Sequence, residues 1–147
     1  LPESQLKKIK KRVKYALIGV GQIKDYKTRL RLYRKLKNFG FKLPTIVSPL
    51  AYVSKLSTIG EGSIVMHGAI INAYAQIGKN VIINTGAVIE HDVKIGDNCH
   101  ISTSVTINGE SSVGNNTFIG SNSVVVNNIK IKNEKFIKAN SLIKKNV

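Results

Sequence analysis

Glu90, His91 and Asp92 place an imidazole between two carboxylates, and a second histidine, His100, follows nine positions later. Histidine titrates near neutral pH, so it is the side chain best suited to take up and return a proton there. Carboxylates on either side favour the protonated ring and orient one ring nitrogen, which leaves the other for a reacting group. The run therefore points to general base catalysis, with His91 as the base and Asp92 and Glu90 as the charges that tune and orient it. The rival reading is a solvated histidine at a turn. A zinc site built from His67, His91 and His100 fits poorly, because spacings of 24 and nine residues do not suggest one ligand set and the carboxylates between them do not complete it. No metal is expected. Cys99 is the single cysteine, so there is no disulfide framework, and it falls on a pattern of small inward residues where a free thiol packs rather than reacts.

The elements that must hold these residues are set by a repeat. From Val47 to Ile143 an aliphatic residue occupies every sixth position, seventeen times without a gap. Ile and Val together make 34 of 147 residues, too few for composition to produce such a grid. Two positions before each one the side chain is mostly small, as at Ala51, Ser63, Ala69, Ala75, Ala87, Cys99 and Ser111. A period of six fits neither a helix nor an alternating hairpin; it predicts short strands joined by tight corners in a parallel β-helix. Ile59-Gly60, Ile77-Gly78, Ile95-Gly96 and Val113-Gly114 recur at eighteen, so three hexads complete one triangular coil. The corner residues Gly60, Gly78, Asn80, Gly96, Asp97, Asn98, Gly114, Asn115 and Asn116 are expected to supply the backbone conformations of tight turns. On this grid His91 and His100 both point outward and neither belongs to the core. His67 lies one coil and one face away from His91 and receives no role.

The N-terminal third reads differently. Residues 3–14 predict a short basic helix, 15–20 a buried parallel strand, 27–38 a helix stopped at Gly40, and 41–47 a second strand. One βαβ unit cannot cover both faces of a sheet, so residues 1–46 are read as the remnant of an N-terminal α/β substrate-binding domain, and 47–147 as the β-helix domain. Gly19 and Gly21 follow the first strand without a third glycine, a weak phosphate loop. The net charge of +15 is uneven: residues 1–46 carry 14 basic and 2 acidic side chains, residues 47–147 carry 9 and 6. Aromatic residues do not interleave with these charges as a base-stacking surface requires, which argues against nucleic acid. Lys130, Lys132, Lys138, Lys144 and Lys145 crowd the last coils, as a polar cap or to meet a phosphate. No apolar run reaches the ~20 residues of a membrane span and no signal-peptide pattern opens the chain, so stable membrane insertion is not expected and a cytoplasmic protein is.

The stretch Ile83-Asn84-Thr85-Gly86-Ala87-Val88-Ile89-Glu90-His91-Asp92, followed by Ile95-Gly96-Asp97-Asn98-Cys99-His100-Ile101-Ser102, closely resembles the bacterial sugar acyltransferase family of left-handed β-helix enzymes. That family includes the sialic acid O-acetyltransferases and the N-acetyltransferases of nucleotide-linked 4-amino sugars. The resemblance runs back through Gly40-Phe41-Lys42-Leu43-Pro44-Thr45, which looks like the family's join between an α/β domain and the prism. It implies a left-handed β-helix, a homotrimer, and acetyl-CoA in the groove between neighbouring prisms as the donor for an amino or hydroxyl group of a nucleotide-linked or sialic-type sugar in surface glycan synthesis. It also implies His91 as general base, Asp92 as its orienting carboxylate, His100 near the thioester, Asn84 lining the same site, and a Gly109 N–H on the thioester carbonyl. The sequence departs from the family in lacking the early glycine-rich strand-turn-helix, in Lys138-Ala139-Asn140 where glycine is usual, and in stopping at Val147. The first departure bears on substrate binding and supplies the alternative, a non-catalytic trimeric scaffold or truncated relative. The intact Glu90-His91-Asp92 run argues against that alternative.

Overall fold

The computed structural model describes residues 2–23 and 25–147. Residues 46–143 form seventeen two-residue strands, β1 (Ile46–Val47) to β17 (Leu142–Ile143), each starting six residues after the one before. The second residue of every strand is the grid position of the sequence. Strands pair only with strands three places away, all in parallel, so residue i sits beside residue i+18: Ile82 beside His100, and His100 beside Phe118. Three flat sheets result. The first is β1-β4-β7-β10-β13-β16, the second β2-β5-β8-β11-β14-β17, and the third β3-β6-β9-β12-β15. The mainly β, parallel β-helix expected from the period of six is what the chain forms.

The core follows directly from the grid. Val65, Ile71, Ile83, Ile89, Ile101, Ile107 and Ile119 stack inward, with Ala69, Ala75, Val81, Ala87, Val93, Cys99 and Val105 filling the places between them, and all are at most 1% exposed. Cys99 lies inside this stack, its Sγ 3.1 Å from the Gly114 carbonyl oxygen. The corners divide their labour in a way the sequence reading did not separate. Left-handed backbone falls on Asn80, Asn98 and Asn116, at φ of 56°, 56° and 60°. The Gly60, Gly78, Gly96 and Gly114 column is required instead by close approach: a Cβ at Gly60 would stand 2.6 Å from the Gly78 carbonyl carbon in the next coil.

The N-terminal segment holds α1 (Glu3–Lys10), four residues shorter than the helix expected over 3–14, and α2 (Lys27–Asn38), which Gly40 follows at φ 78° as expected of a helix stop. The strand expected over residues 15–20 is corrected. Only Tyr15 bridges, in parallel, to Lys42, and Tyr15, Leu17 and Val20 are exposed while Ile18 is buried. An apolar run with a single neighbour has no sheet to be buried in. Phe41 and Leu43 are buried, but of the second expected strand, 41–47, only Ile46–Val47 form one, as β1 of the prism, while Lys42 makes the lone bridge to Tyr15. Among the described residues no helix is long and apolar enough to cross a membrane.

Candidate functional site

The corner that follows the second sheet carries His91. After β8 (Val88–Ile89) the chain turns through Glu90, His91 and Asp92, and Asp92 adopts φ 60°, which its short polar side chain tolerates. That turn brings Asp92 Oδ2 to 2.9 Å from His91 Nδ1. With a carboxylate beside it, Nδ1 carries the proton and donates, so Nε2 is left as the acceptor. The hydrogen bond to Asp92 holds the imidazole above its ordinary pKa; the charges of Asp92, Glu90 and Glu110 add to this and slight desolvation opposes it. Both side chains are open to solvent, at 56% for His91 and 53% for Asp92. Glu90 turns away and accepts from Asn72 Nδ2 at 2.9 Å, so it acts on His91 through charge rather than contact.

One coil on, Gly109 lies directly under the imidazole. A Cβ there would stand 2.7 Å from His91 Cε1 and 2.8 Å from Nε2. The missing side chain is what gives the ring its place. The neighbouring amides of Asn108 and Glu110 are spent on the coil-to-coil ladder, donating to Val125 and His91 carbonyl oxygens at 3.0 and 3.2 Å. An open hollow of about 690 Å³ borders this corner, lined by Tyr74, Gln76, Asp92, Lys94, Glu110 and Lys130 among others.

Asn84 and His100 stand elsewhere. His100 is the first residue of β10 (His100–Ile101) on the first sheet, and Asn84 follows β7 (Ile82–Ile83) on that same sheet. The two side chains meet at 3.2 Å, Asn84 Nδ2 to His100 Nε2. The second sheet separates this pair from the His91 corner, since nine residues is half a coil. A single chain therefore joins His91, Asp92 and Gly109, and separately joins Asn84 and His100.

His100 departs from expectation in one respect. It points out of the prism, but it is only 7% exposed because the N-terminal segment covers it. Its Nδ1 donates to the backbone carbonyl of Gln22, and its ring meets Phe118 edge to face at 5.2 Å. Burial pushes its pKa down, the Gln22 carbonyl opposes this and the Arg29 charge adds to it. Gln22 and Arg29 are the site-adjacent residues that sequence reasoning missed. Their side of the contact lies in a segment with no repeat, 78 residues away from His100 in the case of Gln22. His67 Nδ1 and Ser48 Oγ share a 2.6 Å hydrogen bond on the corner after the first sheet, away from His91.

These features can be set beside known proteins. A family model, Bacterial transferase hexapeptide (six repeats), matches residues 74–109, the span that holds Asn84, His91, His100 and Gly109. A comparison with curated proteins finds no match. PerB from Caulobacter crescentus, solved in complex with CoA and GDP-perosamine, is 31% identical with a TM-score of 0.93, over 99% of this chain and 69% of that one. A histidine-to-asparagine variant of perosamine N-acetyltransferase from the same organism, with the same two ligands, is 30% identical with a TM-score of 0.93, over 99% and 68%. The acetyltransferase domain of PglB from Neisseria gonorrhoeae, in complex with acetyl coenzyme A, is 27% identical with a TM-score of 0.78, over 82% and 61%.

Proposed function

The chain belongs to the bacterial sugar acyltransferase family with hexapeptide repeats, and from that premise we propose that it moves the acetyl group of acetyl-CoA onto the amine of a nucleotide-linked sugar. The observation that carries the chemistry is the His91 corner: an exposed imidazole, its Nδ1 held by Asp92, its Nε2 free, its ring laid over Gly109. His91 Nε2 takes the amine proton as the nitrogen attacks the thioester carbonyl carbon. The C–N bond forms, the C–S bond breaks, and the proton passes to the departing thiolate. Asp92 keeps the imidazole in the one tautomer that can do this and stabilises the imidazolium that results. Gly109 N–H, lying between two amides already spent on the ladder, serves the oxyanion. The amine is favoured over a hydroxyl because the relatives at 30 and 31% identity are sugar proteins of which one is named as an N-acetyltransferase.

Asn84 and His100 form the coenzyme side of the site. Because they occupy a different corner from His91, one complete site needs the His91 corner of one prism against the Asn84 and His100 face of another. A homotrimer closes such contacts with a single kind of interface. Residues 1–46 are the closing part of an α/β substrate-binding domain, a reading supported by the outward apolar side chains of Tyr15, Leu17 and Val20 beside a single bridge.

The experiment is thiol release from acetyl-CoA with a panel of nucleotide-linked amino sugars and sialic acids, for the parental chain and His91→Ala. A general base is worth typically 10²- to 10⁴-fold, while an exposed turn histidine contributes no more than about 0.5 kcal/mol to stability. His91→Ala should therefore lose at least a hundredfold in kcat at an unchanged melting temperature. Parental rates in the variant would refute the base; no turnover by the parental chain with any acceptor would favour a non-catalytic scaffold.

A further inference from the structure

Where the N-terminal segment crosses the first sheet, it buries polar groups that the proton-transfer corner does not use. Arg29 is 1% exposed, and its partners are backbone carbonyls: Nη1 donates to Ile18 at 2.8 Å and Val20 at 2.7 Å, and Nη2 to Gly62 at 3.4 Å. Its Nε has no partner among the described residues, and burial lowers its pKa to about 10, so it stays a cation at neutral pH. Gln22 is 3% exposed and its Nε2 donates to the Asn98 carbonyl at 2.7 Å. An apolar side chain of similar volume would pack at lower cost than a buried guanidinium, but it could donate to none of these three carbonyls, two of which share Nη1. Arg29 thus fixes residues 18 and 20, and the Gln22 amide fixes residue 22. Between them they hold the one carbonyl that reaches His100.

The consequence runs through hydrogen-bond valence. Nδ1 of His100 faces a carbonyl, so it must carry the proton, and Nε2 must then be the acceptor. Asn84 meets that acceptor with an N–H of Nδ2, while its Oδ1 accepts from the Thr85 N–H at 2.8 Å. The amide is fixed in orientation and has one N–H left over. If His100 carried its proton on Nε2, two donors would face each other. The Asn84 amide would have to flip, losing the Thr85 bond and turning its free donor away.

We propose that Arg29 and Gln22 are positioning residues that set the tautomer of His100 and, through it, aim the free Asn84 N–H at a carbonyl oxygen of the acyl donor. This rests on the reading of Asn84 and His100 as the coenzyme side of the site. It joins the N-terminal segment to donor binding through contacts that no repeat position supplies.

The test uses the full chain in three variants. Arg29→Met keeps volume and removes the donors, Gln22→Ala removes the side-chain tether and leaves the backbone carbonyl, and Arg29→Lys keeps the charge and part of the donation. Nitrogen-15 NMR of the histidine rings reads the tautomer, and steady-state kinetics separate the KM for acetyl-CoA from kcat. Parental His100 should be protonated on Nδ1 alone and stay neutral below the ordinary histidine range. In Arg29→Met and Gln22→Ala the Nε2-protonated form should appear and the titration should move up. The KM for acetyl-CoA should rise about tenfold, the loss of roughly one hydrogen bond, with a smaller fall in kcat, and Arg29→Lys should recover part of the loss. An unchanged tautomer in both variants overturns the proposal, and a shifted tautomer with parental KM overturns its link to the donor. If Arg29→Met does not fold, Gln22→Ala decides alone. A parental chain without acetyl transfer defeats the proposed function and the donor link, while the NMR arm still decides whether Arg29 and Gln22 hold the tautomer.

Discussion

Gly109→Ala should abolish most of the activity and leave the fold intact. The added methyl would stand 2.7 Å from His91 Cε1, 2.8 Å from Nε2 and 3.2 Å from Nδ1, so it meets the ring from below across its width. Ordinary carbon contacts begin near ~3.5 Å, so the ring must retreat by about 1 Å. The backbone can stay where it is, because the imidazole is more than half exposed and can swing outward. Moving off its preferred rotamer costs about 0.5–1.5 kcal/mol, while replacing glycine at an ordinary φ returns about 0.4–1 kcal/mol through the unfolded chain, so net stability should change by less than about 1 kcal/mol. Catalysis has no such compensation. A misplacement of about 1 Å costs on the order of 10²-fold, and the swing also breaks the 2.9 Å bond to Asp92. Gly114→Ala is the matched control, since its Cβ would meet the next coil's backbone, Asn133 N at 2.5 Å and Lys132 C at 2.6 Å. Those atoms cannot swing away, so this variant should lose about 1–3 kcal/mol of stability as an overpacked core does. Thermal melts by circular dichroism and thiol-release kinetics on the two variants separate the effects. If Gly109→Ala keeps kcat within threefold of the parent while His91→Ala loses a hundredfold, the steric reasoning is wrong.

Three further outcomes follow from the same geometry. On the proposed mechanism His91 acts as the neutral imidazole, so kcat should rise with pH through its raised pKa; Asp92→Asn, which removes the main cause of that raised pKa, should move this limb to lower pH and lower the plateau, and a pH profile with an unmoved limb would count against Asp92 as the partner. The Cys99 thiol, buried and pushed up to about 12, should not react with a disulfide reagent in the folded chain and should react once denaturant unfolds the stack, as titration before and after unfolding would show. Light scattering at micromolar concentration should give three times the chain mass of 16.1 kDa, and a monomer would remove the shared site.

The prism was legible because its information is local and repeated. Each inward position states the same requirement, and seventeen statements at a period of six leave one register. The His91 corner was legible for the same reason: Glu90, His91 and Asp92 are adjacent in the chain, and their geometry is that of a turn the repeat already fixes. Gly109 could be placed by the period of eighteen, which puts it one coil on from His91, yet the sequence could not say that its use is to make room for a ring. The separate roles of the corner residues were also hidden, because glycine serves both positive φ and close approach and a sequence does not distinguish them.

What escaped was the cover on His100. The grid gives the direction of a side chain relative to the prism axis, and for His100 it gave the right direction, outward. Exposure also depends on what lies across that face, and here it is an irregular segment whose position is set by single contacts: Arg29 on two carbonyls, Gln22 on Asn98. None of these has a period, and the apolar run of residues 15–20 suggested a sheet that does not form, since its only bridge is Tyr15 to Lys42. The difference matters for chemistry as well as for burial. An exposed His100 would titrate near the ordinary range and exchange tautomers with water, whereas the covered ring is neutral, holds one tautomer, and passes that asymmetry to Asn84. Two histidines nine residues apart are thereby driven in opposite directions, His91 upward by a carboxylate and His100 downward by burial, which suits one to accept a proton and the other to stay neutral while it holds a neighbour in place.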